Sequence, residues 1–185
     1  MIFALEEHPE GVETRNGNVV VYDLERNEAH FGAASVDGPA LVWQLTNEPL
    51  VTDRYKGLSV LAAEVDLGSA ERWLARCDRV DFPPGGIAHR HVHPGPGIRR
   101  ILHGELTIDR DGDARTYRAG DSWLEEAGDP VLATASATED TAFVRVLLLP
   151  AKWAGMRTIR YLDPADDGKP KLQRATVLLE HPIER

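Results

Sequence analysis

The sequence predicts an all-β fold, a sandwich or barrel. Three observations lead there. Apolar residues gather in short runs rich in Val, Leu, Trp and Tyr, the residues that suit a pleated, half-buried surface. Gly and Pro, with Asp-Gly pairs, punctuate the gaps between these runs and mark turns. No stretch keeps the period of an amphipathic helix for more than about two turns. Many short strands separated by turn signals read as a closed or doubled sheet.

The strands follow in order. Val19-Val20-Val21-Tyr22, Ala40 to Leu45 and Leu58 to Val65 are dense in β-formers. Arg72 to Val80 alternates polar and apolar residues and ends at the turn Pro83-Pro84-Gly85-Gly86, the pattern of a strand with two unlike faces. Cys77 alternates there with Trp73 and Ala75, which predicts a buried thiol. Ile98 to Asp109 reads as one strand entering the turn Asp111-Gly112. Ala142 to Leu149 is a nearly continuous apolar run, as in a central strand. Residues 1–40 form an N-terminal arm joining the sheet, 41–150 the barrel, and 151–185 a tail with two short strands, Arg157 to Leu162 and Arg174 to Glu180. A lone hairpin is marginal in water, so these two are expected to extend a sheet of the same chain or of a partner.

Composition excludes several classes. The 185 residues are 42% hydrophobic and 28% charged, a balance unlike a disordered chain. No apolar run approaches the ~20 residues of a membrane helix, and the N-terminus lacks a basic start and cleavage site. The net charge of −9 disfavours nucleic acid, whose phosphates call for clustered Lys and Arg. One Cys leaves no internal disulfide and suits a reducing cytoplasm.

The most informative segment is His89-Arg90-His91-Val92-His93. On a regular strand these three histidines share a face, and neutral imidazole is the commonest metal ligand. The surrounding spacing resembles the cupin superfamily. Gly85, five residues, His91, one residue, His93 and a later Gly104 resemble its first motif, which also carries a Glu. Gly120-Asp121, then Gly128, resemble the second motif, which continues to a His and an Asn. The resemblance spans Phe82 to Pro150. It implies a cupin-type double-stranded β-helix, or jelly-roll barrel, with N- and C-terminal extensions. It also implies a bound divalent metal (Fe, Mn, Ni or Zn), a small-molecule ligand and a homodimer.

The chain departs from that pattern where the chemistry lies. The first-motif Glu falls on Gly97 and the second-motif His on Val131, while the motif's Pro and Asn fall on Glu126 and Ala135. Two of the four expected ligands are absent, so the site is damaged or rebuilt. His91 and His93 remain, with Glu125 and His89 as candidates to complete a 2-His-1-carboxylate or three-His set. His103 shares their parity, although the turn from Pro94 to Gly97 can reset the register. In the family the position two after the usual Glu faces the pocket, and here that is Arg99. An inward arginine must be paired, either with Glu125 or with the carboxylate of a ligand. Glu125 cannot serve both Arg99 and a metal in full. Trp123 resembles a pocket aromatic of the family, with a core residue as the default reading.

Two readings of function follow. One is a metal-dependent enzyme, a dioxygenase foremost, with isomerase or lyase behind it, acting on a small acidic or enolisable molecule. The other is a non-catalytic binding module that holds a small anion through Arg99 with little or no metal. A storage role has no supporting feature.

Overall fold

A computed structural model describes residues 1–48 and 57–184. The strands are β1 (Ile2–His8), β2 (Val12–Glu13), β3 (Val19–Asp23), β4 (Glu28–Phe31), β5 (Ser35–Val36), β6 (Ala40–Thr46), β7 (Leu58–Glu64), β8 (Trp73–Phe82), β9 (Ile87–Val92) and β10 (Gly97–His103). After them come β11 (Glu105–Arg110), β12 (Asp113–Arg118), β13 (Ser122–Glu125), β14 (Val131–Ala135), β15 (Thr141–Pro150), β16 (Arg160–Tyr161) and β17 (Arg174–Ile183). Two short 3₁₀ turns, Ala151–Trp153 and Pro164–Gly168, interrupt the tail. No helix among the described residues is long and apolar enough to cross a membrane.

Three five-stranded antiparallel sheets result. The N-terminal sheet runs β4-β3-β6-β1-β7, the middle sheet β13-β10-β15-β8-β17, and the outer sheet β12-β11-β14-β9-β16. The middle and outer sheets face each other as a double-stranded β-helix of jelly-roll type. The described N-terminal strands ladder with one another and not with these two sheets, and the strand at 40–46 goes with them. The N-terminal region therefore meets the middle sheet through side chains instead of extending it edge to edge.

Strand periodicity explains the layering. Along β8, Trp73, Ala75 and Cys77 point towards the N-terminal sheet; along β15, Val144, Val146 and Leu148 do the same. They close one core with Phe3, Leu5, Val20, Tyr22, Leu41 and Trp43. The Trp43 indole N–H, which needs a partner when buried, donates to the Ile98 carbonyl at 3.2 Å. Alternate residues on the other face, including Val80, Phe82, Phe143 and Trp123, form a second core with Leu106, Ile108, Val131 and Ala133 of the outer sheet. The middle sheet is thus covered on both faces, which is why β15 is apolar on both sides from Ala142 to Leu149 apart from Arg145.

The stretch expected to be a single strand from Ile98 to Asp109 is two strands in two different sheets. Gly104 breaks it with φ of +73°, a conformation in which glycine carries no steric penalty. A side chain there would run into the backbone at Asp140 and Thr141. Both tail strands pair within this chain: β17 adds to β8 at the edge of the middle sheet, and β16 adds to β9.

Candidate functional site

Between the middle and outer sheets lies a cavity of about 560 Å³. One part of its wall is apolar, built from Val80, Phe82, Leu106, Ile108, Ala133 and Phe143. The other part carries charge. On the middle sheet Arg99 lies opposite Arg145, and Arg145 lies opposite Asp78, so three charged side chains occupy neighbouring strands in one row facing inward.

Each guanidinium has a carboxylate. Arg145 donates from Nε (3.1 Å) and Nη2 (3.0 Å) to Asp78 Oδ2. Arg99 Nη2 lies 2.6 Å from Glu125 Oε2, off the line of a hydrogen bond, while its Nη1 donates to the Gly97 carbonyl at 2.6 Å. Glu125 Oε1 accepts the Trp123 indole N–H at 2.8 Å. All four charged groups are buried. Desolvation pulls the Arg99 guanidinium down to about 10, against the pull of Glu125, and at neutral pH it remains a cation.

The histidines face this row from the outer sheet. His91 Nδ1 donates to its neighbour's carbonyl at His89, 2.7 Å away, which leaves Nε2 as an open acceptor. Burial pushes its pKa down to about 4, so the ring is neutral. His93 is tied at both nitrogens. Arg145 Nη1 can only donate, so His93 Nε2 accepts from it at 3.2 Å and Nδ1 donates to the Thr158 carbonyl at 3.2 Å. Burial, followed by the Arg145 charge, holds this ring well below its usual range. The two rings lie 5.0 Å apart, edge to face.

His89 does not join them. Val131 pairs with His91 but Ala133 pairs with Ala88, so two residues of β9, His89 and Arg90, oppose the single Leu132 of β14. That bulge breaks the alternation: Ala88 and His91 both line the cavity, and His89 does not. Its ring lies 6.4 Å from Tyr161 instead. His103 is likewise outside, exposed at the end of β10 beside the Asp140 carbonyl, because the ladder slips between Ile101 and His103.

A resident metal needs several lone pairs converging on one point, and the four proposed ligands do not supply them. His93 Nε2 holds Arg145, both oxygens of Glu125 face cations or donors, and His89 points elsewhere. Of these four, only His91 presents an open nitrogen, Nε2. Among the described residues no three His, Cys, Asp or Glu side chains are grouped to hold a metal ion. Gly97 shows that the missing carboxylate is not a simple omission. A Cβ there would lie 2.5 Å from Leu147 Cδ2 and 3.0 Å from Arg99 Nη1, so Leu147 and Arg99 fill the space a Glu would need. Val131, where the second-motif His falls, is fully buried in the apolar wall. The donor set as arranged does not fit a divalent ion, and the cation facing His93 is a guanidinium of the chain itself.

The residue reading overlooked Arg145 and Asp78. Each stood inside a stretch read only as a strand, and the available signal was a lone charge at an inward position of an apolar strand. It also overlooked the tail as a wall of the cavity. Met156, Arg157, Thr158, Tyr161, Lys171 and Val177 are among the residues that line it. Arg76, buried on β8, holds this tail by pairing with Glu180 and donating to the carbonyls of Met156 (2.7 Å) and Trp153 (3.0 Å). Arg157 and Lys171 both approach the Tyr161 ring, at 5.0 and 4.5 Å.

The family model described as "Cupin domain" matches residues 78–146, the segment that supplies most of both barrel sheets. No curated protein matches the chain. Similar solved structures include the polyketide cyclase RemF from Streptomyces resistomycificus, at 16% identity over 56% of this chain and 70% of that one, TM-score 0.41. An RmlC-like cupin from Shewanella frigidimarina gives 18% identity over 48% and 83%, TM-score 0.38. An oxalate oxidase gives 24% over 48% of this chain and 46% of its own, TM-score 0.39.

Proposed function

From the premise that residues 78–146 are a cupin domain, we propose that this protein binds a small anionic molecule with an apolar body, without a resident metal. One observation carries the reading: two inward arginines stand side by side, and Arg145 occupies the His93 nitrogen that a metal would use. The lining as a whole supports it. Five cationic side chains, Arg76, Arg99, Arg145, Arg157 and Lys171, meet three carboxylates, Asp78, Glu125 and Glu180, an excess of two positive charges in a chain of net charge −9. A cleft of one sign within low-dielectric walls concentrates ligands of the other sign. The apolar wall and the cavity volume suit a ligand of about drug size.

A second reading, a metal-dependent enzyme of the dioxygenase, isomerase or lyase kind, draws support from His91 and His93 sharing this cavity. It requires Arg145 to leave His93. Calorimetric titration with 3-phenylpropanoate and with neutral 3-phenylpropan-1-ol, in the presence of a chelator, separates the two, together with elemental analysis of the untreated protein. The expected outcome is binding of the acid, weaker binding of the alcohol and substoichiometric metal. Stoichiometric metal that disappears in the His91→Ala/His93→Ala double variant, with no binding of the acid, would overturn the first reading in favour of the second.

A further inference from the structure

The charged end of the cavity leaves specific hydrogen-bonding capacity unused. Asp78 directs both of its Arg145 contacts through Oδ2; its Oδ1 is buried and has no partner. Arg99 Nη2 is buried and likewise makes no aligned hydrogen bond. Asp78 is 2% exposed and Arg99 1%, and both line the cavity. A buried charged group with an unmade hydrogen bond is costly in the empty protein and is satisfied when a ligand supplies the missing partner. Asp78 Oδ1 can only accept, so it calls for a donor; Arg99 and Arg145 can only donate, so they call for an acceptor.

The order of these groups fixes how donor and acceptor are disposed. Arg99, Arg145 and Asp78 occupy successive strands at paired positions, each about 4.8 Å from the next. Arg145 already touches Asp78 Oδ2 at 3.0 Å, so a carboxylate resting on the guanidiniums of Arg99 and Arg145 lies next to Asp78, within reach of a hydroxyl on the first or second carbon after the carboxyl. Phe143, Val80 and Phe82 line the same cavity and would receive an apolar substituent. We propose that the cavity selects hydroxycarboxylates bearing an apolar substituent, with the carboxylate on Arg99 and Arg145 and the hydroxyl donating to Asp78 Oδ1. This rests on the anion-binding reading above and names the ligand class for that same site.

Three probes share one skeleton: 3-phenyllactate, 3-hydroxy-3-phenylpropanoate and the deoxy compound 3-phenylpropanoate. Titration of the full chain with each, in chelator, should show at least one hydroxy acid binding about tenfold or more tighter than the deoxy acid, because only the hydroxyl pairs the buried acceptor. In Asp78→Asn that advantage should vanish, the ratio of hydroxy-acid to deoxy-acid affinity falling to about one. If the variant does not fold, the wild-type comparison decides. Equal affinity of the hydroxylated and deoxy acids would overturn the hydroxyl assignment and leave the anion reading standing. Binding of neutral 3-phenylpropane-1,2-diol as tight as the acids, or no binding of any acid, would overturn both.

Discussion

Arg145 is the residue on which the site turns. It is held by Asp78 on one side and gives a hydrogen bond to His93 on the other, so its removal strands a buried carboxylate. We predict that Arg145→Met loses about 3–5 kcal/mol in chemical denaturation, and that Arg145→Met/Asp78→Leu recovers most of it, because deleting both charges removes the uncompensated one. His91 gives a pH signature. Its folded pKa of about 4 lies below the ordinary 6.5, so the unfolded chain takes up its proton first as pH falls. Stability is then full above about pH 6.5 and declines towards pH 4, by on the order of 3 kcal/mol from this ring. Denaturation midpoints measured across that window should fall less steeply in His91→Gln. Gly97→Ala tests whether the lost motif carboxylate has any room; the contact with Leu147 predicts a loss of about 1–3 kcal/mol from overpacking. An inward Arg99 followed from what the family resemblance implied. The pairing of its neighbour Arg145 with His93 did not, because it joins residues more than fifty positions apart across two sheets.

Among the elements, those with a continuous or alternating apolar pattern were legible: β6, β7, β8, β15 and β17 all appear where their composition put them. Illegible features were those set by one residue's backbone. A regular strand from 87 to 93 places all three histidines together, and the bulge opposite Val131 and Ala133 removes His89. Nothing in the side chains of 88–90 announces that extra residue; it is a property of the partner strand's register. Strand β1 was hidden differently. Both of its faces are buried: Phe3 and Leu5 enter the core, while the opposite face carries Glu6 and His8, with Gln44 donating to Glu6 at 3.0 Å, so burial does not follow the apolar pattern. Gly104→Ala should be severely destabilising, since both its positive φ and the backbone around Asp140 and Thr141 oppose a side chain; loss of soluble, cooperatively melting protein is the readout.

At the scale of the whole molecule, the middle sheet is a shared wall. Its one face belongs to the N-terminal core and its other to the cavity, so the two regions are mechanically one. Trp43→Ala, though on the far side of the sheet from any ligand, should cost about 3–5 kcal/mol and weaken ligand binding through the displaced Ile98 carbonyl. Parallel melting and titration of that variant check both effects. A dimer, which the family resemblance implied, remains a proposal that sedimentation velocity tests directly. The tail forms one wall of the cavity, and Thr158 of that tail takes a hydrogen bond from His93 while Arg76 pairs with Glu180. For a ligand that leaves past this wall, departure is a gated event. Ligands of quite different affinity would then share one upper limit on how fast they leave, set by how often the latch between Arg76 and Glu180 lets go, and loosening that latch should shorten every residence time by a common factor.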